Sequence, residues 1–158
     1  MAANWILMAE DSEDDERLFL EVLKRSGLTN PVVVVPDGGE AIAYLKGELR
    51  YADRERFPLP RILLLDLAMP KVNGWQVLQW LKSRSEFRDL LVIVLTSSLR
   101  VADLQRAYQM GASSFLGKPC KVEELLNLER AYPDHWTRPS PPPQSAPLDR
   151  AGSPPPPA

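Results

Sequence analysis

A doubly wound α/β fold around a five-stranded parallel sheet is what this sequence predicts. Two observations carry the expectation. Five short runs, Trp5–Ala9, Val32–Val35, Ile62–Leu65, Leu90–Leu95 and Ser114–Leu116, are rich in Ile, Leu or Val. Apolar residues at consecutive positions suit strands covered on both faces. Between these runs lie segments with helical spacing, and strand alternates with helix five times, which right-handed crossovers turn into a sheet with helices on both faces.

The helices follow in order. Arg17–Arg25 carries Leu18, Phe19, Val22 and Leu23, with Gly27 as a stop. Gly39–Lys46 carries Ala41, Ile42 and Leu45, and Trp75–Lys82 carries Val77, Leu78 and Leu81. Leu99–Met110 carries Leu104, Ala107 and Tyr108 before Gly111, and Lys121–Ala131 carries Val122, Leu125 and Leu126. Glu48–Pro60 is a long polar connection, read as a surface insertion ahead of the third strand. Trp75 and Trp80 read as packing residues. Leu128, Tyr132 and Trp136 lie off the Val122/Leu125/Leu126 stripe, so one of two apolar faces is expected to meet a partner. That suggests a homodimer through the fourth and fifth helices and the fifth strand.

Composition narrows the function. The chain has 158 residues and a formal charge of −2, which draws it to neither nucleic acid nor an anionic membrane. One cysteine, Cys120, excludes an internal disulfide, and one histidine, His135, read as solvated, excludes a multi-histidine metal site. Cys120 reads as inert. No apolar run reaches membrane-spanning length, so the chain reads as soluble and cytoplasmic. Nine of its 16 prolines lie within Pro139–Pro157. The expected division is a folded domain over 1–137 and a proline-rich tail over 138–158, disordered or polyproline II. A ligand for an aromatic groove is the alternative reading of that tail.

In such sheets ligands sit beyond the carboxyl ends of the strands. Glu10 and Asp11 follow the first strand, Asp66 the third, Thr96 the fourth and Lys118 the fifth. Asp14–Glu16 read mainly as the acidic start of a helix. Crowded carboxylates raise a pKa or call for a cation, and oxygen-only donors suit Mg²⁺. A carboxylate so placed can attack phosphorus, with a metal, Lys118 and Thr96 each taking one oxygen of the transferred group.

Glu10-Asp11-Ser12, Leu64-Leu65-Asp66-Leu67-Ala68-Met69-Pro70, Asn73-Gly74, Leu95-Thr96-Ser97, Gly111-Ala112 and Lys118-Pro119 together resemble the receiver domain of two-component response regulators over roughly Asn4–Ala131. The resemblance implies a flavodoxin-like strand order 2-1-3-4-5 and Asp66 as acceptor of a phosphoryl group from a histidine kinase. It implies Mg²⁺ held by Glu10, Asp11, Asp66 and the Ala68 carbonyl, with Asp11 the more direct of the acidic pair. Thr96 and Lys118 would bind the phosphoryl group, the Lys118–Pro119 peptide would be cis, and Phe115 occupies the switch-aromatic position, with plain core packing as its alternative. The long insertion and Pro36–Leu45 resemble the stand-alone regulators paired with bacterial phytochromes. Ala68 and Ser98 stand where receivers flank the attacking water. An aspartyl-phosphate phosphatase would want a second aspartate at position 68, where Ala68 stands, and an intact acidic site argues against a mere adaptor.

Overall fold

The computed structural model describes residues 4–69, 71–98 and 100–139. Strands β1 (Ile6–Ala9), β2 (Val32–Val35), β3 (Ile62–Asp66), β4 (Leu91–Thr96) and β5 (Ser114–Gly117) alternate with helices α1 (Glu13–Arg25), α2 (Gly38–Lys46), α3 (Gly74–Lys82), α4 (Val101–Gln109) and α5 (Val122–Ala131). All pairings are parallel and the order is β2-β1-β3-β4-β5. The fold class and order are those expected.

The unbroken apolar runs have a plain cause: each central strand serves two cores. Leu7, Leu63, Leu65, Val92 and Val94 face one side, under Ala41, Tyr44 and Leu45 of α2, Val77 and Leu78 of α3 and Ala107 of α4. Ile6, Met8, Ile62, Leu64 and Ile93 face the other, under Phe19 and Leu23 of α1 and Leu125 of α5.

Several boundaries differ from the expected ones. α1 begins four residues early because Ser12 caps it, its hydroxyl accepting from the Asp15 amide at 3.2 Å. β3, β4 and β5 each run one residue further, taking in Asp66, Thr96 and Gly117.

Two readings of residues away from the site are corrected. Leu128 and Trp136 are each only 6% exposed and lie in the α1/α5 core, and Tyr132 packs against that core. Those three therefore meet the protein's own interior, not a partner. His135 is not simply solvated, since both ring nitrogens are buried without a hydrogen-bond partner. The insertion lies at the surface, as expected, but it is ordered by a few buried contacts. A 3-10 turn at Leu49–Tyr51 buries Tyr51, whose ring centroid lies 5.0 Å from that of Tyr44 and 5.3 Å from that of Phe57. Arg54 donates to the carbonyls of Tyr44 (2.9 Å), Leu45 (2.9 Å) and Phe57 (3.2 Å). The Tyr44 carbonyl already accepts the Gly47 amide, so Arg54 adds a second donor there and pairs the Leu45 carbonyl at the end of α2. At the other end of the chain, Thr137 receives from and donates to the α1–β2 loop, and Arg138 bonds to Glu129. Residues 140–158 of the expected tail lie outside the described residues.

Candidate functional site

Parallel strands all end at the same edge, so the residues after them meet. Asp66, the last residue of β3, is buried, and its Oδ1 accepts from the Ala68 amide at 2.9 Å. Glu10 follows β1 directly and is equally buried, its Oε2 accepting from the Ser12 amide at 3.2 Å. Asp11 is exposed at the rim. Carboxylate oxygens of Glu10, Asp11 and Asp66 lie within 4.8 Å of one another.

Lys118 reaches in from the end of β5, where its amide donates to the Thr96 carbonyl at 3.0 Å. Its Nζ stands 2.8 Å from Asp66 Oδ2, 2.9 Å from Glu10 Oε1 and 3.1 Å from Asp15 Oδ2. The Lys118–Pro119 peptide is cis. Burial opposes charge on Lys118, but its bonds to Asp66, Glu10 and Asp15 outweigh this and hold the ammonium charged above the ordinary lysine range. Burial, and then the hydrogen bond and repulsion from Asp66, push the Glu10 carboxyl up to about 7, against the opposing pull of Lys118 and the Ser12 amide.

These groups line an open cleft of about 330 Å³. Glu10, Asp11, Asp15, Asp66 and Asp103 all border it, and among the described lining residues Lys118 is the one cation. Two carboxylates no more than 4.8 Å apart repel by at least about 3 kcal/mol at an effective dielectric of about 20. Glu10 Oε1 is buried and forms only an ion pair, with no aligned hydrogen bond. Oxygen donors and surplus negative charge fit a hard divalent cation.

Thr96 ends β4 and is buried; its Oγ1 accepts from the Ser98 amide at 2.9 Å and donates to the Ser98 carbonyl at 3.3 Å. Phe115 on β5 is half-buried and meets Tyr108 of α4 edge-on at 6.3 Å. Ala68 borders the cleft.

The fold thus gathers every predicted site residue except Phe115 around one cleft, Phe115 lying beside it on β5. Three lining residues were missed. Asp15 stands four residues before buried Phe19, on the inward stripe of α1, and that spacing was the available signal. Trp75 borders the cleft with Arg106 stacked 4.1 Å over its ring, and Asp103 enters from the first turn of α4. Gly74, quoted as part of a motif, has a geometric reason. A Cβ there would lie 2.4 Å from the Asp66 carbonyl oxygen and 2.7 Å from the Leu67 Cα, so only glycine lets α3 start against the end of β3.

A family model described as the response regulator receiver domain matches residues 6–129. The chain belongs to the receiver domain family of response regulators. Response regulator Rcp1 of Synechocystis sp. (strain ATCC 27184 / PCC 6803 / Kazusa) is 33% identical over 131 residues, covering 83% of this chain and 87% of that protein. A solved Mn(2+)-bound form of response regulator Rcp1 matches with a TM-score of 0.66 at 34% identity, covering 79% of this chain and 88% of that one. Response regulator RPA3017 in red light signaling of R. palustris matches with a TM-score of 0.77 at 32% identity, covering 87% and 99%. Bacteriophytochrome response regulator RtBRR matches with a TM-score of 0.75 at 37% identity, covering 92% and 87%. This receiver is therefore related to the phytochrome response regulators, and no helix among its described residues is long and apolar enough to cross a membrane.

Proposed function

We propose that this receiver is a stand-alone cytoplasmic response regulator that takes a phosphoryl group onto Asp66 from a sensor histidine kinase, of phytochrome type. The carrying observation is the buried Asp66 carboxylate with Oδ2 2.8 Å from Lys118 Nζ, at the bottom of an open cleft. An Asp66 oxygen attacks phosphorus, the phosphorus–nitrogen bond of phosphohistidine breaks, and the imidazole leaves with that electron pair. Lys118 neutralises an equatorial oxygen of the transferred group, and the Thr96 hydroxyl donates to another.

Asp11, Asp66 and the Ala68 carbonyl would hold Mg²⁺, with Glu10 supporting it. The ion would supply charge neutralisation of the phosphoryl oxygens. Phosphorylation then draws Thr96 towards the phosphoryl group and lets Phe115 turn inward, biasing the α4–β5–α5 surface between two states. In self-dephosphorylation water attacks the same phosphorus, the bond from phosphorus to the Asp66 oxygen breaks, and inorganic phosphate leaves the regenerated carboxylate, with only the small residues Ala68 and Ser98 flanking the approach. Val101, 68% exposed, and Tyr108, 46% exposed, leave apolar surface on α4 for a homodimer or another partner. Relatedness to phytochrome response regulators, the acidic cleft and the lysine placement support this reading over an aspartyl-phosphate phosphatase, which Ala68 leaves without an acid.

The test is phosphorylation by a small-molecule donor with Mg²⁺, read by intact mass. Wild type gains one phosphoryl group and Asp66→Asn gains none; equal gain by both would end the reading.

A further inference from the structure

The turn after β4 contains a bond that the proposed phosphotransfer does not use. Ser98 Oγ donates to Asp103 Oδ2 at 2.8 Å. Asp103 lies in the first turn of α4, a helix whose N-terminus has no side-chain cap, yet its carboxylate turns back to Ser98. Both residues border the cleft that holds Asp66. Ser98 in turn brackets Thr96, its amide donating to Thr96 Oγ1 and its carbonyl receiving the hydroxyl proton.

From this chain of contacts we infer that Asp103 is a positioning residue which, through Ser98, holds the Thr96 hydroxyl in its resting orientation and sets how readily the site takes up a phosphoryl group. The inference rests on the proposed role of Thr96. A hydroxyl has one proton, and here it points to the Ser98 carbonyl. Turning it to a phosphoryl oxygen means giving up that contact and shifting the Ser98 backbone. A bond to a carboxylate is stronger than one between neutral groups, so Asp103 resists that shift. A ligand moves a two-state equilibrium only by its preference for one state, and the grip on Ser98 therefore lowers the apparent affinity for the phosphoryl-bound state.

The competing role for Asp103 is simple: a carboxylate in a first helical turn favours the helix through its dipole. A double-mutant cycle separates the two. The probe is beryllofluoride with Mg²⁺, titrated by calorimetry into wild type, Asp103→Ala, Asp103→Asn, Ser98→Ala and the Asp103→Ala/Ser98→Ala double variant. Asp103→Ala and Ser98→Ala each tighten binding by about tenfold, the size expected for losing one charge-assisted bond. The double variant is no tighter than either single variant, and Asp103→Asn, which keeps an acceptor, shifts by less than about threefold. In metal-free protein the Ser98 amide also exchanges faster in Asp103→Ala than in wild type. Additive effects in the double variant, or unchanged affinity in Asp103→Ala, overturn the inference while leaving the role of Asp66 intact. Equal binding by wild type and Asp66→Asn overturns both.

Discussion

Lowering the pH from 8 to 6 should weaken divalent-cation binding by about tenfold, and Glu10 is the reason. Glu10 is 3% exposed, and burial with the neighbouring Asp66 raises its carboxyl from 4.5 to about 7. A cation in this cleft requires the carboxylate, so binding displaces the proton. The apparent dissociation constant then scales as one plus the ratio of protonated to ionised Glu10. With a pKa of about 7 that factor is about 1.1 at pH 8 and about 11 at pH 6.

The same shift acts on the metal-free fold, with a definite sign. Between about 4.5 and about 7 the folded chain holds a proton on Glu10 that the unfolded chain has released. Stability therefore falls as pH rises through this window, by up to about 3 kcal/mol, since each unit is worth about 1.4 kcal/mol. Mg²⁺ should restore what is lost at pH 8. Titration calorimetry with Mg²⁺ or Mn²⁺ across pH 6–8, and urea melts with and without the ion, read both effects. A flat affinity profile in wild type, or the same slope in Glu10→Gln as in wild type, would refute the reasoning.

Three further outcomes follow from the packing. Gly74→Ala puts a methyl group against the backbone of Asp66 and Leu67. It should cost more than about 2 kcal/mol in a urea melt and abolish phosphoryl uptake at temperatures where the variant is still folded. Trp136→Ala empties a buried position and should cost about 3 kcal/mol with no change of oligomeric state in sedimentation. A shift in association with unchanged stability would restore the partner-face reading. Burial, aided by Glu124, pushes the Cys120 thiol up to about 12. Its scarce thiolate should react with iodoacetamide at pH 8 about a hundredfold more slowly than an unfolded control, once the greater nucleophilicity of a basic thiolate is counted.

What the sequence revealed and what it hid have the same physical root. A parallel sheet makes position along the chain equivalent to position in space at strand ends, so Asp66, Thr96 and Lys118 could be placed together from the apolar runs alone. No such rule covers the direction of a side chain once a helix ends. Leu128, Tyr132 and Trp136 were grouped by a spacing of four, but α5 stops at Ala131 and a 3-10 turn runs through Pro133–His135. Trp136 is therefore aimed by that turn, and helical periodicity says nothing about it. Leu128 follows Leu125 by three residues, and both are core, so the buried stripe of α5 was centred one position off. The insertion hid its order for a different reason. Charged residues outnumber apolar ones over 48–60, so composition reads as a solvated loop. Yet Tyr51 and Phe57 supply the buried surface and Arg54 supplies donors for the end of α2. One arginine with three carbonyl acceptors does more to order that segment than its charged side chains do to solvate it. Asp103 belongs to the same class: an acidic residue in a first helical turn is the commonest of sequence features, and only its bond to Ser98 distinguishes a helix start from a hold on Thr96.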